Sequence, residues 1–145
     1  MHDVRVADPE EALPLDGEEV ARWARAILDA ESPEPVSVSL TFLGADDMRR
    51  LNREALGHDR ATDVIAFRLE HPTSLAGDVY VCPSMARENA AAAGVTVHEE
   101  LARLVVHGVL HVLGHDHPDE PAARTASRMW AVQEGYVRSL TGRPA

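Results

Sequence analysis

The chain has 145 residues, a usual length for one domain, and 45% of them are hydrophobic, enough to bury a core without disulfide staples. Its one cysteine, Cys82, has no partner for an intrachain disulfide and cannot build a cysteine metal site alone, which fits a reducing compartment and a small buried residue. The formal net charge of −10 argues against broad nonspecific nucleic-acid binding, but a local basic groove remains compatible with it because screened fields are short-ranged.

The opening segment is acidic and lacks an apolar stretch, so it does not read as a secretory signal. Val4–Val6 reads as a short first strand. Val20, Trp23, Ala24, Ile27 and Leu28 recur at helical spacing, which predicts an amphipathic helix over about 17–30, broken by Glu31-Ser-Pro-Glu-Pro35. Val36–Leu43 alternates apolar and polar residues as a half-buried strand does. After Gly44, Asp46 and Asp47 suit a helix start, with Met48, Leu51 and Ala55 expected inward. Arg49, Arg50, Arg53, His58, Arg60 and Arg68 form the densest basic stretch of a chain that has no lysine; a solvated helix and loop would give the same pattern.

Thr62–Phe67 and Asp78–Cys82 read as two more strands, and Asp63 and Asp78 serve equally as turn formers or site groups. Ser84 is placed to cap a helix from about 85 to 93, ended by Gly94. Thr96 and Glu99 have capping-box spacing and open a helix carrying Leu101, Leu104, Val105 and Leu110, which should stop at Gly114. That apolar stretch is interrupted by Arg103 and two histidines and is too short to span a bilayer. A last helix is expected over roughly 120–140, with Met129, Trp130, Tyr136, Val137 and Leu140 on its apolar side. No repeat or linker divides the chain, so residues 1–145 read as one α+β (mixed α/β) domain: a small mixed sheet of about four strands with helices packed on it. A cytoplasmic protein without a membrane partner, monomeric by default, is expected.

The chemistry concentrates in His107-Gly-Val-Leu-His111-Val-Leu-Gly114-His-Asp-His117. His107 and His111, four apart on a helix, share one face one turn apart. Gly114 lets the chain reverse, so His117 can return as a third ligand, leaving a fourth position open as catalytic zinc sites do. One Zn2+ per chain is the expected cofactor. His115 either competes for the metal or points elsewhere, to substrate among other places. Asp116 could orient a ligand, act as a base or cap the turn. The same histidine spacing occurs in one class of zinc proteases, where the residue after the first histidine is the glutamate base; here it is Gly108, so that mechanism would lack its base.

The pattern of His107, Gly108, Leu110, His111, Gly114, Asp116 and His117 resembles that of the bacterial YbeY endoribonucleases. Leu51-Asn52 through Gly57, Asp59 and Thr62-Asp63-Val64 to Phe67 is similar to a second segment of that family, and Gly77-Asp78-Val79 with Val81 to a third. Where the family carries Tyr-Arg this chain has Ala55 and Leu56, its proline is Ala61, and the aromatic before Asp116 is His115. The resemblance implies a small α+β fold and a metal on His107, His111 and His117. It further implies cleavage of single-stranded RNA in small-subunit ribosomal RNA 3′-end maturation and ribosome quality control, with ribosomal small-subunit particles as partners. It gives the missing arginine a part in catalysis or RNA binding, for which Arg53 or Arg60, with His58 nearby, are the expected substitutes. His107, His111, His117 and Asp116 are the expected catalytic group. The rival readings are a metal-dependent hydrolase of another substrate, such as a peptide, and a non-catalytic, metal-stabilised ribosome-assembly factor.

Overall fold

The computed structural model describes residues 2–71 and 74–142. Strands β1 (Asp3–Ala7), β2 (Val36–Phe42), β3 (Val64–His71) and β4 (Ser74–Val81) form one sheet in the order β1-β2-β4-β3. The first three neighbours in that order run parallel, and β3 pairs antiparallel with β4. The sheet is therefore mixed, as expected. β3 and β4 run further towards each other than their apolar residues suggest, because the ladder continues through Arg68↔Gly77 to His71↔Ser74 on backbone pairing.

Helix α1 (Gly17–Glu31) is capped by the Asp16 carboxylate and buries Val20, Trp23, Ala24, Ile27 and Leu28, the residues its periodicity marks. In β2, Val36, Val38, Leu40 and Phe42 face inward. They pack with Val79 and Val81 of β4, with α1 and with α4 (Val97–Val112), the most deeply buried helix. A smaller cluster of Met48, Ile65 and Cys82, packed by Phe67 and Tyr80, joins α2 (Ala45–Leu56) to the β3–β4 end of the sheet. Cys82 is fully buried.

Three expectations are corrected. On α2, Ala55 is exposed and Asn52 is buried instead, because its amide donates to the Arg60 carbonyl at 2.9 Å. Helix α3 (Pro83–Ala93) starts before Ser84: Pro83, with its fixed φ, opens it and Cys82 is the cap residue. The last segment is two helices, α5 (Pro121–Thr125) and α6 (Arg128–Thr141). Ser127 stands between them as the α6 cap, accepting from the Trp130 amide and donating to the Arg124 carbonyl.

α4 lies very close to the sheet. A Cβ on Gly108 would overlap Val79, and one on Gly77 would overlap Val112 and approach the Phe67 carbonyl to 2.9 Å. Position 108 is thus the contact between helix and strand, with no room for a glutamate. Its neighbour His107 faces outward from that contact.

Candidate metal centre

Thr96 caps α4 through the Glu99 amide, and the helix ends on Leu113. The reversal is a Schellman motif: His115 N–H reaches the Leu110 carbonyl at 2.9 Å, and Gly114 N–H the His111 carbonyl at 3.0 Å. Gly114 takes φ 97°, a left-handed conformation that a side chain would strain, and the Arg68 guanidinium lies where its Cβ would be. Asp116 then accepts from the His117 amide at 2.8 Å and holds the backbone that brings His117 round.

The three imidazoles converge. His107 Nε2 lies 3.1 Å from His111 Nε2 and 3.3 Å from His117 Nε2. Two nitrogens at about 2.0–2.1 Å from a tetrahedral zinc would stand about 3.3–3.4 Å apart, so the spacing fits one ion. Among the described residues these three are the one set able to offer three such ligands.

The protons point the same way. Gln133, 1% exposed, donates its amide N–H to Glu134 at 3.0 Å and turns its oxygen to His107 Nδ1 at 2.6 Å. Nδ1 must therefore carry the proton, which leaves Nε2 as a bare lone pair. His117 Nδ1 likewise donates to the Pro118 carbonyl at 2.9 Å. Lone pairs facing one another at these distances repel unless a cation lies between them. Burial, then the neighbouring histidines, lowers the His111 pKa to about 4; burial also lowers that of His107. Both are neutral at pH 7, the state that binds metal.

Gln133 anchors a buried polar network. Glu134 binds Arg103 through both oxygens, at 2.8 and 2.9 Å, and Arg103 also binds Glu99 and Glu100. Asn89 bridges Glu100 at 3.3 Å to Asp63 at 3.0 Å. The network begins at His107 and ends at Asp63, and both residues line the same open cleft.

That cleft, of about 540 Å3, is walled by β3, the Leu56 end of α2 and the Asp116–Arg124 segment. His107, His111, His117, Asp116, Arg68 and Arg124 line it. Arg53, Arg60 and His58 do not line it, and Arg53 is instead 3.7 Å from Asp59. His115 binds Glu31 at 2.9 Å, the carboxylate that also accepts from Tyr136, and so braces the reversal against α1 and α6. Asp78 accepts from Ser39 at 2.6 Å across the sheet and takes no part in the centre. Gln133 was missed in the sequence, although it left a signal: a polar residue midway between Met129 and Val137 on the stripe that α6 buries. Arg124 left none.

The family model for Endoribonuclease YbeY matches residues 5–141. The chain belongs to the YbeY endoribonuclease family. It is 35% identical over 137 residues to Endoribonuclease YbeY of Methylobacillus flagellatus, covering 92% of this chain and 89% of that one. The YbeY of Frankia casuarinae is 33% identical, over 96% of this chain and 75% of its own length. The fold is similar to the solution structure of TM1509 from Thermotoga maritima, with a TM-score of 0.66 at 30% identity, covering 96% of this chain and 89% of that one.

Proposed function

We propose that the chain is a zinc-dependent endoribonuclease that cuts single-stranded ribosomal RNA. Its setting is 3′-end maturation of the small-subunit RNA and ribosome quality control, in the cytoplasm, on small-subunit particles. The observation that carries the reading is the convergence of three Nε2 atoms in a cleft with room for a nucleotide and with two arginines in its wall. Family membership supplies the reaction class.

His107, His111 and His117 would hold the ion, and Gln133 and the Pro118 carbonyl fix two of the rings in the ligating tautomer. Bound there, zinc would supply Lewis acidity that withdraws charge from a phosphodiester and eases deprotonation of the nucleophile. Asp116 stands at the cleft with one carboxylate oxygen engaged by the His117 amide, which leaves the other to take a proton from an attacking hydroxyl or water. Leu56, 50% exposed, offers the same cleft an apolar wall against which a base can lie. Arg53 in the last turn of α2, and His58 and Arg60 in the loop that leads to β3, are exposed and would meet only RNA that extends past the cleft. No helix among the described residues is long and apolar enough to cross a membrane.

The test is metal analysis of the purified protein with parallel incubations on single-stranded RNA, duplex RNA and casein. One zinc per chain is expected, with chelator-sensitive cutting of the single strand that is lost in His111→Ala. Chelator-sensitive proteolysis with intact RNA, or no stoichiometric metal after zinc reconstitution, would overturn it.

A further inference from the structure

Arg124 is set apart from the arginines of α2 and α4. Arg49, Arg50, Arg53 and Arg103 all engage carboxylates. Arg124 pairs with no carboxylate among the described residues; its one side-chain bond is a long one, 3.3 Å, from Nη2 to the Asp119 carbonyl. Its Nε is buried and has no hydrogen-bond partner. With no carboxylate beside it and one N–H unpaired, this guanidinium keeps its charge and donor capacity for an anion.

The surroundings say where that use lies. Arg124 lines both the open cleft and a smaller cavity of about 200 Å3 beside His107, which Asp63, Glu100, Arg103, Trp130 and Gln133 also line. Its backbone is pinned from both sides. The Glu120 carboxylate accepts from the Ala122 and Ala123 amides and starts α5, and Ser127 Oγ grips the Arg124 carbonyl at 2.6 Å. The break between α5 and α6, which separates Arg124 from the continuous helix expected there, is what fixes it at the cleft.

We infer that Arg124 binds a backbone phosphate of the RNA in the cleft through the Nη groups of its guanidinium, which no carboxylate among the described residues engages. This rests on the endoribonuclease reading above. A guanidinium suits the task because it presents two parallel N–H groups to two phosphate oxygens. In a chain of net charge −10, an arginine not neutralised by a carboxylate is worth more to a polyanion than the paired ones on α2.

The experiment measures binding of a labelled, 2′-O-methylated single-stranded oligoribonucleotide to the zinc-loaded protein across a salt series. Arg124→Gln should bind about 10-fold more weakly, as for a lost charged hydrogen bond, and its salt slope should be shallower by about 0.7, as for one lost phosphate contact. Arg124→Lys should keep the slope and recover part of the affinity, and Arg87→Ala, exposed on α3, should match wild type. A slope unchanged in Arg124→Gln beside a wild type that binds overturns this assignment and leaves the function standing. A wild type that neither binds nor cuts RNA overturns both. Should Arg124→Gln not fold, phenylglyoxal labelling of wild type decides: bound oligonucleotide protects Arg124 if the assignment is right, and equal labelling with and without it is the opposite result.

Discussion

A single hydrogen bond decides the protonation of His107. The Glu134 carboxylate, held by Arg103, orients the Gln133 amide; the amide oxygen accepts from Nδ1–H; and Nε2 is left with its lone pair. Gln133→Leu keeps roughly the same volume and removes the acceptor. Zinc affinity, measured by competition with a chromogenic chelator, should fall about 10–100-fold, the usual cost of losing such an outer partner; an unchanged affinity would mean that the ring is oriented by packing alone. Burial gives the same histidines a second property. His111 has its pKa lowered from 6.5 to about 4, so as pH falls the unfolded chain takes up a proton before the folded one does. Stability rises with pH wherever the unfolded state binds more protons. The contribution is therefore complete above about 6.5 and is lost as pH falls towards about 4, and the lowered His107 acts in the same direction. Urea midpoints of the metal-free protein should drop between neutral pH and about pH 5, and His111→Asn should flatten that dependence.

At the scale of elements, α4 brings two of the three converging histidines to the cleft because of how it lies on the sheet. Gly108 and Gly77 allow the close approach that makes Val79 and Val112 part of one core, and His107 and His111 then project along the rim. Gly108→Ala places a methyl group against Val79, which is fully buried and stiff at its branch point. It should cost about 1–3 kcal/mol by chemical denaturation, the usual range for overpacking; a neutral result would show that α4 can slide outward freely. The elements that the sequence revealed are those whose apolar residues keep one period: α1, β2 and α4 each bury the predicted face. Two failures share a cause. Ala55 was expected inward because periodicity counts apolar residues, whereas the buried position belongs to Asn52, whose amide satisfies a loop carbonyl. The α5–α6 break was hidden because residues on both sides are good helix formers, and only the Ser127 hydroxyl, bonded in both directions, marks it.

For the whole molecule, the distances along the chain separate what could be read from what could not. The three histidines fall within eleven residues, so a helix and a turn suffice to bring them together, and the sequence displays them. Gln133 reaches His107 from 26 positions away, and Asn89 reaches Asp63 from the same separation. Such partners are set by the packing of α6 and α3 on α4, which no local pattern encodes. The same division predicts how the molecule behaves without metal. The main core is built from β1, β2, β4, α1, α3, α4 and α6, and none of the three histidines belongs to it. Folding is therefore not expected to depend on the ion, unlike a small zinc domain that has no core of its own. Chelation should leave the far-ultraviolet circular dichroism unchanged while lowering the melting temperature. Zinc should restore the difference, worth about 4 kcal/mol when free metal exceeds Kd about a thousandfold. His111→Ala should melt at the same temperature with and without zinc. Loss of secondary structure on chelation would instead mean that the Gly114 reversal, and the α5 segment leading on from it, is held by the ion rather than by its own hydrogen bonds.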